Sequence, residues 1–195
     1  MTWFRRLAGA VLAAAVLVDC SGSSAALPVL VPTCVRPDLS SPRPCTPQEY
    51  RRSQEQVALV DEATAVWQRQ LVEDHRLTFA GGVASLTPTP EIEATMADPG
   101  KTLFMDGLVQ LYDSGITVVQ LEHRLKTRWD PTPIHAEALV TLQGCVDDYG
   151  SIYIDRDGRD LGERGIILER WGFKRVDGQL KMSYPSYEAV EACPF

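Results

Sequence analysis

The feature that most constrains the fold is a change in the spacing of apolar residues near Gly115. Before it, Val60, Thr64 and Trp67 recur at spacings of three and four within a stripe over residues 47–76, as in a core-facing amphipathic helix. After it, apolar and polar residues alternate, which is typical of strands covered on one side. Helices followed by an antiparallel meander predict an α+β domain, with a long N-terminal helix and shorter helices packed on one face of a curved sheet.

Capping residues indicate where the helices begin and end. Residues 46–49 (TPQE) combine an N-cap, a proline at the first helical position and a glutamate that can bond back to the cap. A shorter helical stretch starts at residues 87–90 (TPTP) and stops at residues 98–100 (DPG). A third helix is predicted over residues 101–113, ended by Gly115. Its inward-facing residues are expected to be Leu103, Leu108 and Leu111.

The strands are predicted from alternation and turn residues. Residues 116–129 are expected to form one long strand, followed by strands over 135–146 and 166–173. Asp177 and Gly178 are predicted to form a two-residue turn to a last strand through Leu180, Met182 and Tyr184. On the long strand, the residues predicted to share the covered face are Val119, Leu121, His123, Leu125 and Trp129.

The first residues predict export. Arg5 and Arg6 precede an apolar run over residues 7–18, which as a helix would span about 18 Å, against about 30 Å for a hydrocarbon core. Residues 1–19 are therefore interpreted as a signal peptide. Leu17 and Cys20 resemble a bacterial lipobox, so Cys20 is the predicted lipidation site. Asp19 departs from that pattern, and the alternative is a secreted protein cleaved near residues 23–26.

Charge and linker composition complete this organisation. The net charge is −7, and removal of residues 1–19 takes away two arginines and one aspartate, which leaves −8. An acidic chain without a basic cluster argues against nucleic acid or an anionic membrane surface as the main partner. Residues 20–47, rich in proline and serine, are interpreted as a linker behind the lipidated cysteine. The folded domain is expected over residues 48–195.

The remaining cysteines predict disulfides. Cys34, Cys45, Cys145 and Cys193 form an even set, and export places them in an oxidising compartment. Three pairings are open in principle. The preferred one joins Cys34 to Cys45 and Cys145 to Cys193, so that one bond closes a proline-containing loop and the other ties a strand to the C-terminal segment. No CxxC or CxxH spacing supports a zinc site instead.

Two stretches carry a resemblance to a known family. They are residues 138–158 (ALVTLQGCVDDYGSIYIDRDG) and residues 168–183 (LERWGFKRVDGQLKMS). With the element order and the leader, they resemble actinobacterial lipoproteins of the nuclear transport factor 2-like superfamily, also called ketosteroid-isomerase-like or SnoaL-like. Some actinobacterial phages carry similar exported proteins. The resemblance implies a cone-shaped domain with a pocket between helix and sheet, and it selects no function because that family hosts both enzymes and non-enzymatic modules.

Candidate pocket residues follow from the predicted faces. They are Trp67, His123, Trp129, Tyr153 and Trp171. His123 on an apolar face could serve as a base or a ligand contact, and the alternative is a core or edge histidine bonded to a neighbour. The tryptophans are equally interpretable as core aromatics.

No motif assigns catalysis or a cofactor. Residues suited to ketosteroid-isomerase-type chemistry exist, but none stands in a recognisable pattern, so no catalytic residue is assigned. They are Asp106, Tyr112, Tyr153 and Glu169. Residues 155–160 superficially resemble a calcium loop, but Gly158 falls at the fourth position instead of the sixth. No metal and no cofactor are expected.

These observations favour an exported, lipid-anchored protein on the outer face of the cell membrane. Its domain is expected to bind a partner protein or a small apolar ligand, without catalysis. The first alternative is an isomerase- or dehydratase-type enzyme with the same fold. The second is a phage superinfection-exclusion lipoprotein.

Overall fold

The helix predicted from the apolar stripe begins at Pro47 and ends at Phe79 (α1). It belongs to a computed structural model that describes residues 32–37, 41–122, 124–162 and 165–195. The predicted signal peptide, Cys20 and His123 lie outside the described residues. Two shorter helices follow, α2 (Pro90–Thr95) and α3 (Gly100–Ser114). In the part of the chain described, no helix has both the length and the apolar character needed to cross a membrane.

The start of α1 confirms the predicted capping box. Thr46 Oγ1 accepts a hydrogen bond from the backbone N–H of Glu49 at 3.2 Å, and Thr46 N donates to Glu49 Oε2 at 2.8 Å. These bonds satisfy N–H groups that the first turn leaves without helical partners. The buried residues of α1 all lie in its second half, which carries the packing: Ala63, Val66, Trp67, Gln70, Glu73 and Leu77.

The third helix is confirmed, but its predicted inward face is partly wrong. Gly115 ends it in the left-handed conformation at φ 68°. Leu108 is buried, whereas Leu103 is 57% exposed. The helix is thus rotated relative to the predicted orientation. Gly100 explains this rotation of α3, because its backbone lies against Ser183 and the ring of Trp171. That contact turns the residues four and eight positions later, Phe104 and Leu108, toward the sheet.

The strands form three antiparallel sheets among the described residues. In chain order they are β1 (Thr33–Cys34), β2 (Arg43–Pro44), β3 (Thr117–Gln120), β4 (Arg124–Asp130), β5 (Val140–Asp147), β6 (Ile152–Ile154), β7 (Ile166–Val176) and β8 (Gln179–Val190). The main sheet has the order β4-β5-β7-β8, while β1 pairs with β2 and β3 pairs with β6. The protein is therefore an α+β domain with a long helix, shorter helices and antiparallel sheets.

The single long strand predicted over residues 116–129 is wrong. The chain leaves β3 after Gln120 and enters β4 at Arg124, and the two strands pair in different sheets. The pairing of β3 with β6 is irregular between Val118 and Gln120, which shifts the alternation. Val118 is consequently 4% exposed and Val119, the predicted inward residue, is 57% exposed.

The other strands agree better with their predictions. The strand predicted over 135–146 begins only at Val140, since the chain turns after the prolines at 131 and 133 and Ala138 N donates to His135 O. The Asp177-Gly178 turn is confirmed, with positive φ angles of 52° and 79°. It joins β7 to β8, which continues further than expected.

The main sheet has two faces with different surroundings. One face carries Val140, Leu142, Trp171 and Phe173, which pack with α1 residues in the hydrophobic core, and we call it the helix-side face. By alternation, the opposite face carries Thr141, Gln143 and Cys145. The C-terminal segment lies on that face, because Cys193 bonds Cys145 and the Phe195 ring lies 4.2 Å from the Arg128 guanidinium.

Two disulfides are present in the pairing preferred from the sequence. Cys34 and Cys45 have their Cα atoms 5.8 Å apart and close the loop of the β1–β2 pair. Cys145 and Cys193 are 5.7 Å apart. The proline-rich residues beside β1 also contact α1, since Ser53 Oγ donates to Val35 O at 2.5 Å. Structural disulfides of this kind are typical of extracytoplasmic proteins.

Candidate functional site

A cavity of about 80 Å³ lies between α1, α3 and the helix-side face, and we call it the helix–sheet pocket. Its apolar wall is formed by Trp67, Leu71, Phe104, Leu125, Val146 and Trp171. Its polar wall is formed by Gln70, Asp74, Glu169 and Tyr187. Ligand sites are usually lined by apolar and aromatic side chains together with a few polar groups, as this pocket is.

Two glycines make room for the tryptophans of the pocket. A Cβ atom on Gly144 would overlap the Trp67 ring, and one on Gly100 would lie 3.0 Å from Cζ3 of Trp171. Gly144 is also the cross-strand neighbour of Glu169 in the pairing of β5 with β7. The absence of a side chain at position 144 thus lets the helix approach the sheet directly beside the Glu169 carboxyl group.

Glu169 is the chemically distinctive residue of the pocket. Its Oε2 atom accepts a hydrogen bond of 3.2 Å from Nε1 of Trp171. Burial raises the pKa of Glu169 to about 7, and the negative charge of Asp74 adds to the increase. Among the described residues, no lysine, arginine or histidine lines the pocket with it.

Tyr187 and Asp74 complete the polar wall from opposite sides. The Tyr187 ring meets the Trp171 ring edge to face, with centroids 5.9 Å apart. Burial raises the pKa of Tyr187, and the charge of Glu169 raises it further, so the phenol keeps its proton. Asp74, on α1, accepts a hydrogen bond of 3.2 Å from Thr78 Oγ1. A carboxyl group from the helix therefore faces one from the sheet.

The predicted pocket residues are only partly brought together. Trp67 and Trp171 line the helix–sheet pocket. Trp129 lies on β4 beside a different, open groove. Tyr153 lies on β6, where its hydroxyl donates to Asp148 Oδ2 at 3.1 Å, and burial raises its pKa to about 12. His123 is outside the described residues.

Other candidates from the sequence do not reach the pocket. Neither Asp106 nor Tyr112, both on α3, lines it, and Tyr112 is exposed. Sequence reasoning missed Gln70, Asp74 and Tyr187. The signal for two of them is present, because Gln70 and Asp74 lie three and seven residues after Trp67 and so share its helical face.

The loop that resembles a calcium site uses its carboxylates for turns. Asp155 Oδ1 accepts hydrogen bonds of 2.9 Å from the backbone N–H groups of Asp157 and Arg159, and Asp160 accepts one from Gly162. Over the described residues, no cluster of three or more His, Cys, Asp or Glu side chains is arranged to hold a metal ion.

The open groove beside Trp129 is larger, about 690 Å³, but both of its arginines have partners within the chain. Both Nε and Nη2 of Arg128 donate to Gln143 Oε1, at 2.9 and 2.7 Å. Arg170 donates to Asp130 at 2.8 Å. We therefore place the candidate site in the smaller pocket, where a charged group lies within an aromatic wall.

Comparisons with known proteins add little to this description. No family model and no curated protein matches the chain. A solved structure that resembles it is the intermembrane space region of the chloroplast protein ARC6, at 11% identity and a TM-score of 0.44. That resemblance covers 68% of this chain and 96% of the other, and at this TM-score it supports no conclusion about fold or function.

Proposed function

We propose that the chain is an exported, lipid-anchored envelope protein whose domain binds a small ligand in the helix–sheet pocket. The observation that carries the proposal is the pocket itself, in which Trp67, Phe104, Trp171 and Tyr187 surround the partly buried carboxyl group of Glu169. A charged group in an aromatic wall does not stabilise the fold, whereas in a ligand site it orients the ligand and provides specificity.

Export and anchoring are supported by separate features. The two disulfides fit an oxidising compartment, and residues 1–20 carry the signal and lipobox-like pattern. The helices followed by an antiparallel sheet also fit the nuclear transport factor 2-like superfamily, to which we propose the domain belongs.

Anchoring is tested by changing Cys20 to Ser and partitioning cell extracts into detergent. The wild-type chain should enter the detergent phase and incorporate a labelled fatty acid, and the variant should do neither. Cys34→Ser is the control, because it also replaces one cysteine by serine but leaves the lipobox-like sequence intact. A Cys20→Ser protein that stays in the detergent phase would show that the anchor is assigned incorrectly.

Ligand binding is tested by following the indole N–H signals of the tryptophans by NMR against a panel of small neutral, anionic and cationic compounds. Binding in the pocket should shift the signals of Trp67 and Trp171 and leave that of Trp129 in place. Leu125→Phe, which fills the pocket, should abolish the shifts, whereas Leu103→Phe on an exposed position should not. The proposal fails if no compound shifts the two pocket signals selectively.

A second function is favoured by one observation on Glu169. A carboxyl group with a pKa of about 7 can both accept and donate a proton at neutral pH, as isomerase- or dehydratase-type chemistry requires. The test is exchange of carbon-bound hydrogen in small carbonyl compounds for deuterium from D₂O. Exchange catalysed by the wild type and not by Glu169→Gln would support the enzymatic function. Equal exchange rates for the two proteins would rule it out.

A further inference from the structure

We infer that the ligand of the helix–sheet pocket is a small organic cation of the alkylammonium type, held against the aromatic rings with Glu169 as its counter-ion. This inference rests on the proposed function of the pocket and names the chemical class that it accepts. It replaces the small apolar ligand expected from the sequence with a charged one.

The first argument is the charge of Glu169, which has no cationic partner among the described residues. The Glu169 carboxylate accepts a hydrogen bond from the neutral indole of Trp171, and no ion pair joins it to a cationic side chain among the described residues. A carboxylate removed from water is costly unless a cation or several donors compensate it. A neutral ligand would remove the remaining water and leave the charge, whereas an ammonium group would neutralise it. An anionic ligand would be repelled by the Glu169 carboxylate.

The second argument is the nature of the wall. Four aromatic side chains line the cavity, from α1, α3, β7 and β8: Trp67, Phe104, Trp171 and Tyr187. Aromatic faces attract alkylammonium groups, and the attraction increases when the cation is removed from water. Such a wall does not suit a small hard metal ion, which needs about six oxygen ligands. The described lining has only two carboxylates, Asp74 and Glu169, and over the described residues no group of three or more His, Cys, Asp or Glu side chains is arranged to hold a metal ion.

The third argument is size. A cavity of about 80 Å³ accommodates a group of only a few non-hydrogen atoms, far below the roughly 300 Å³ of a pocket for a drug-sized ligand. A methylated ammonium head group matches this volume. The rest of a longer ligand would extend past Tyr187, which is more than half exposed at the rim.

The charge state of Glu169 makes binding depend on pH. Among the described residues, the titratable groups that face it are Asp74 from α1 and Tyr187 from β8, while α3 contributes Phe104 to the lining. Tyr187 stays neutral between pH 5 and pH 8, because a phenol ordinarily has a pKa near 10 and the surroundings of Tyr187 raise it further. Since the pKa of Glu169 is about 7, a cation should bind better at pH 8 than at pH 5 and should lower that pKa when it binds.

The inference is tested on the full chain, purified in a non-ionic maltoside detergent. Tetramethylammonium and the neutral compound of similar size, tert-butanol, are titrated at constant ionic strength while the indole signals of Trp67 and Trp171 are followed. We expect tetramethylammonium to bind at least about tenfold more tightly. Glu169→Gln should weaken its binding by about tenfold. Glu188→Gln, a matched change on the opposite face of the sheet, should leave it unchanged.

The outcomes separate this inference from the proposed function. Equal affinity for the two compounds, with no effect of Glu169→Gln, would overturn the cationic ligand and leave the pocket as a binding site. No binding of either compound, or shifts at Trp129 alone, would overturn the cationic ligand, and the pocket as a binding site is overturned only if the wider panel of compounds also leaves the signals of Trp67 and Trp171 unshifted. If Glu169→Gln does not fold, the wild-type chain decides the matter, because affinity for tetramethylammonium that is equal at pH 5 and pH 8 would contradict a role for the Glu169 carboxylate.

Discussion

The charged side chains discussed above have different kinds of partners on the two faces of the main sheet. On the opposite face, Arg128 donates twice to Gln143, and Arg170 donates to Asp130 at 2.8 Å and to Thr132 O at 3.1 Å. On the helix-side face, Glu169 lies in a partly buried cavity with an indole N–H as its donor. The first arrangement matches each charged group with partners fixed by the strands, as a stabilising network does.

This difference indicates which face stabilises the fold and which face carries the candidate site. Charges that serve the fold lower its energy through internal partners, so they are found with those partners already in place. The charge of Glu169 instead raises the energy of the folded state at neutral pH. Such a group is retained when it interacts with something outside the chain, and this is why the candidate site is assigned to the helix-side face.

The largest effect is expected from removing the disulfide on the opposite face. Replacing Cys145 and Cys193 together by Ser removes a bond that closes a loop of 48 residues and should lower the free energy of unfolding by about 4 kcal/mol. The control is the double variant at Cys34 and Cys45, where the separation is 11 residues and the expected loss is about 3 kcal/mol. Denaturant midpoints measure both. A midpoint unchanged by the first double variant would mean that the C-terminal segment does not hold this face.

The second prediction concerns the charge on the helix-side face. The pKa of Glu169 is about 7 in the folded chain and about 4.5 for a glutamate in water, so the folded state keeps a proton that the unfolded state loses between these values. The contribution of Glu169 to stability should therefore be highest below pH 4.5 and should fall by up to about 3 kcal/mol as the pH rises to 7.

Glu169→Gln provides the matched comparison for this pH effect. The amide has nearly the same shape and no charge, so the variant should lack the decline and should be more stable than the wild type at pH 8. Thermal unfolding between pH 4 and pH 8 measures the difference. Parallel curves for the two proteins would show that Glu169 is not buried as a charged group.

The third prediction addresses the space that Gly144 leaves for Trp67. Gly144→Ala places a Cβ in the Trp67 ring and should destabilise the fold by about 1–3 kcal/mol. Gly107→Ala is the matched control, because that helical glycine has nothing within 4 Å of a new Cβ and should gain up to about 1 kcal/mol. Urea unfolding distinguishes them, and the same sign for both variants would contradict the close contact at Gly144.

The smallest expected effect is on the opposite face again. Asp130→Asn weakens the pair with Arg170, whose side chains are 14% and 28% exposed, and should cost about 1 kcal/mol. Asp157→Asn breaks the highly exposed pair with Arg159 and should cause no measurable change in midpoint. Equal effects in the two variants would show that the Asp130–Arg170 pair does not stabilise the opposite face.

Local signals in the sequence predict much of this fold. The capping box at Thr46, the glycine stop at Gly115 and the Asp-Gly turn each depend on a few neighbouring residues, and each is found where expected. In β5 and β7, the residues on the helix-side face also alternate along the sequence: Val140 and Leu142 in β5, and Trp171 and Phe173 in β7. The break between β3 and β4 could not be predicted, because it depends on β3 choosing β6 as its partner.

The candidate site is predicted less well, for a related reason. Trp67 and Trp171 follow from their periodic positions, and Glu169 lies two residues from Trp171, so alternation already places it on the same face. Tyr187 lies beyond the predicted end of the last strand. What the sequence does not reveal is that Gly144 is in register with Glu169, which is a matter of pairing between distant segments.

That register makes the pocket depend on residues far apart in the chain. Since the ring at position 67 occupies the space above Gly144, the two positions cannot change independently. Relatives that keep tryptophan at position 67 are expected to keep glycine at position 144, and those with a larger residue at 144 should carry a smaller side chain at 67. Covariation of these positions, together with glutamate at position 169, would mark the relatives that share the binding site.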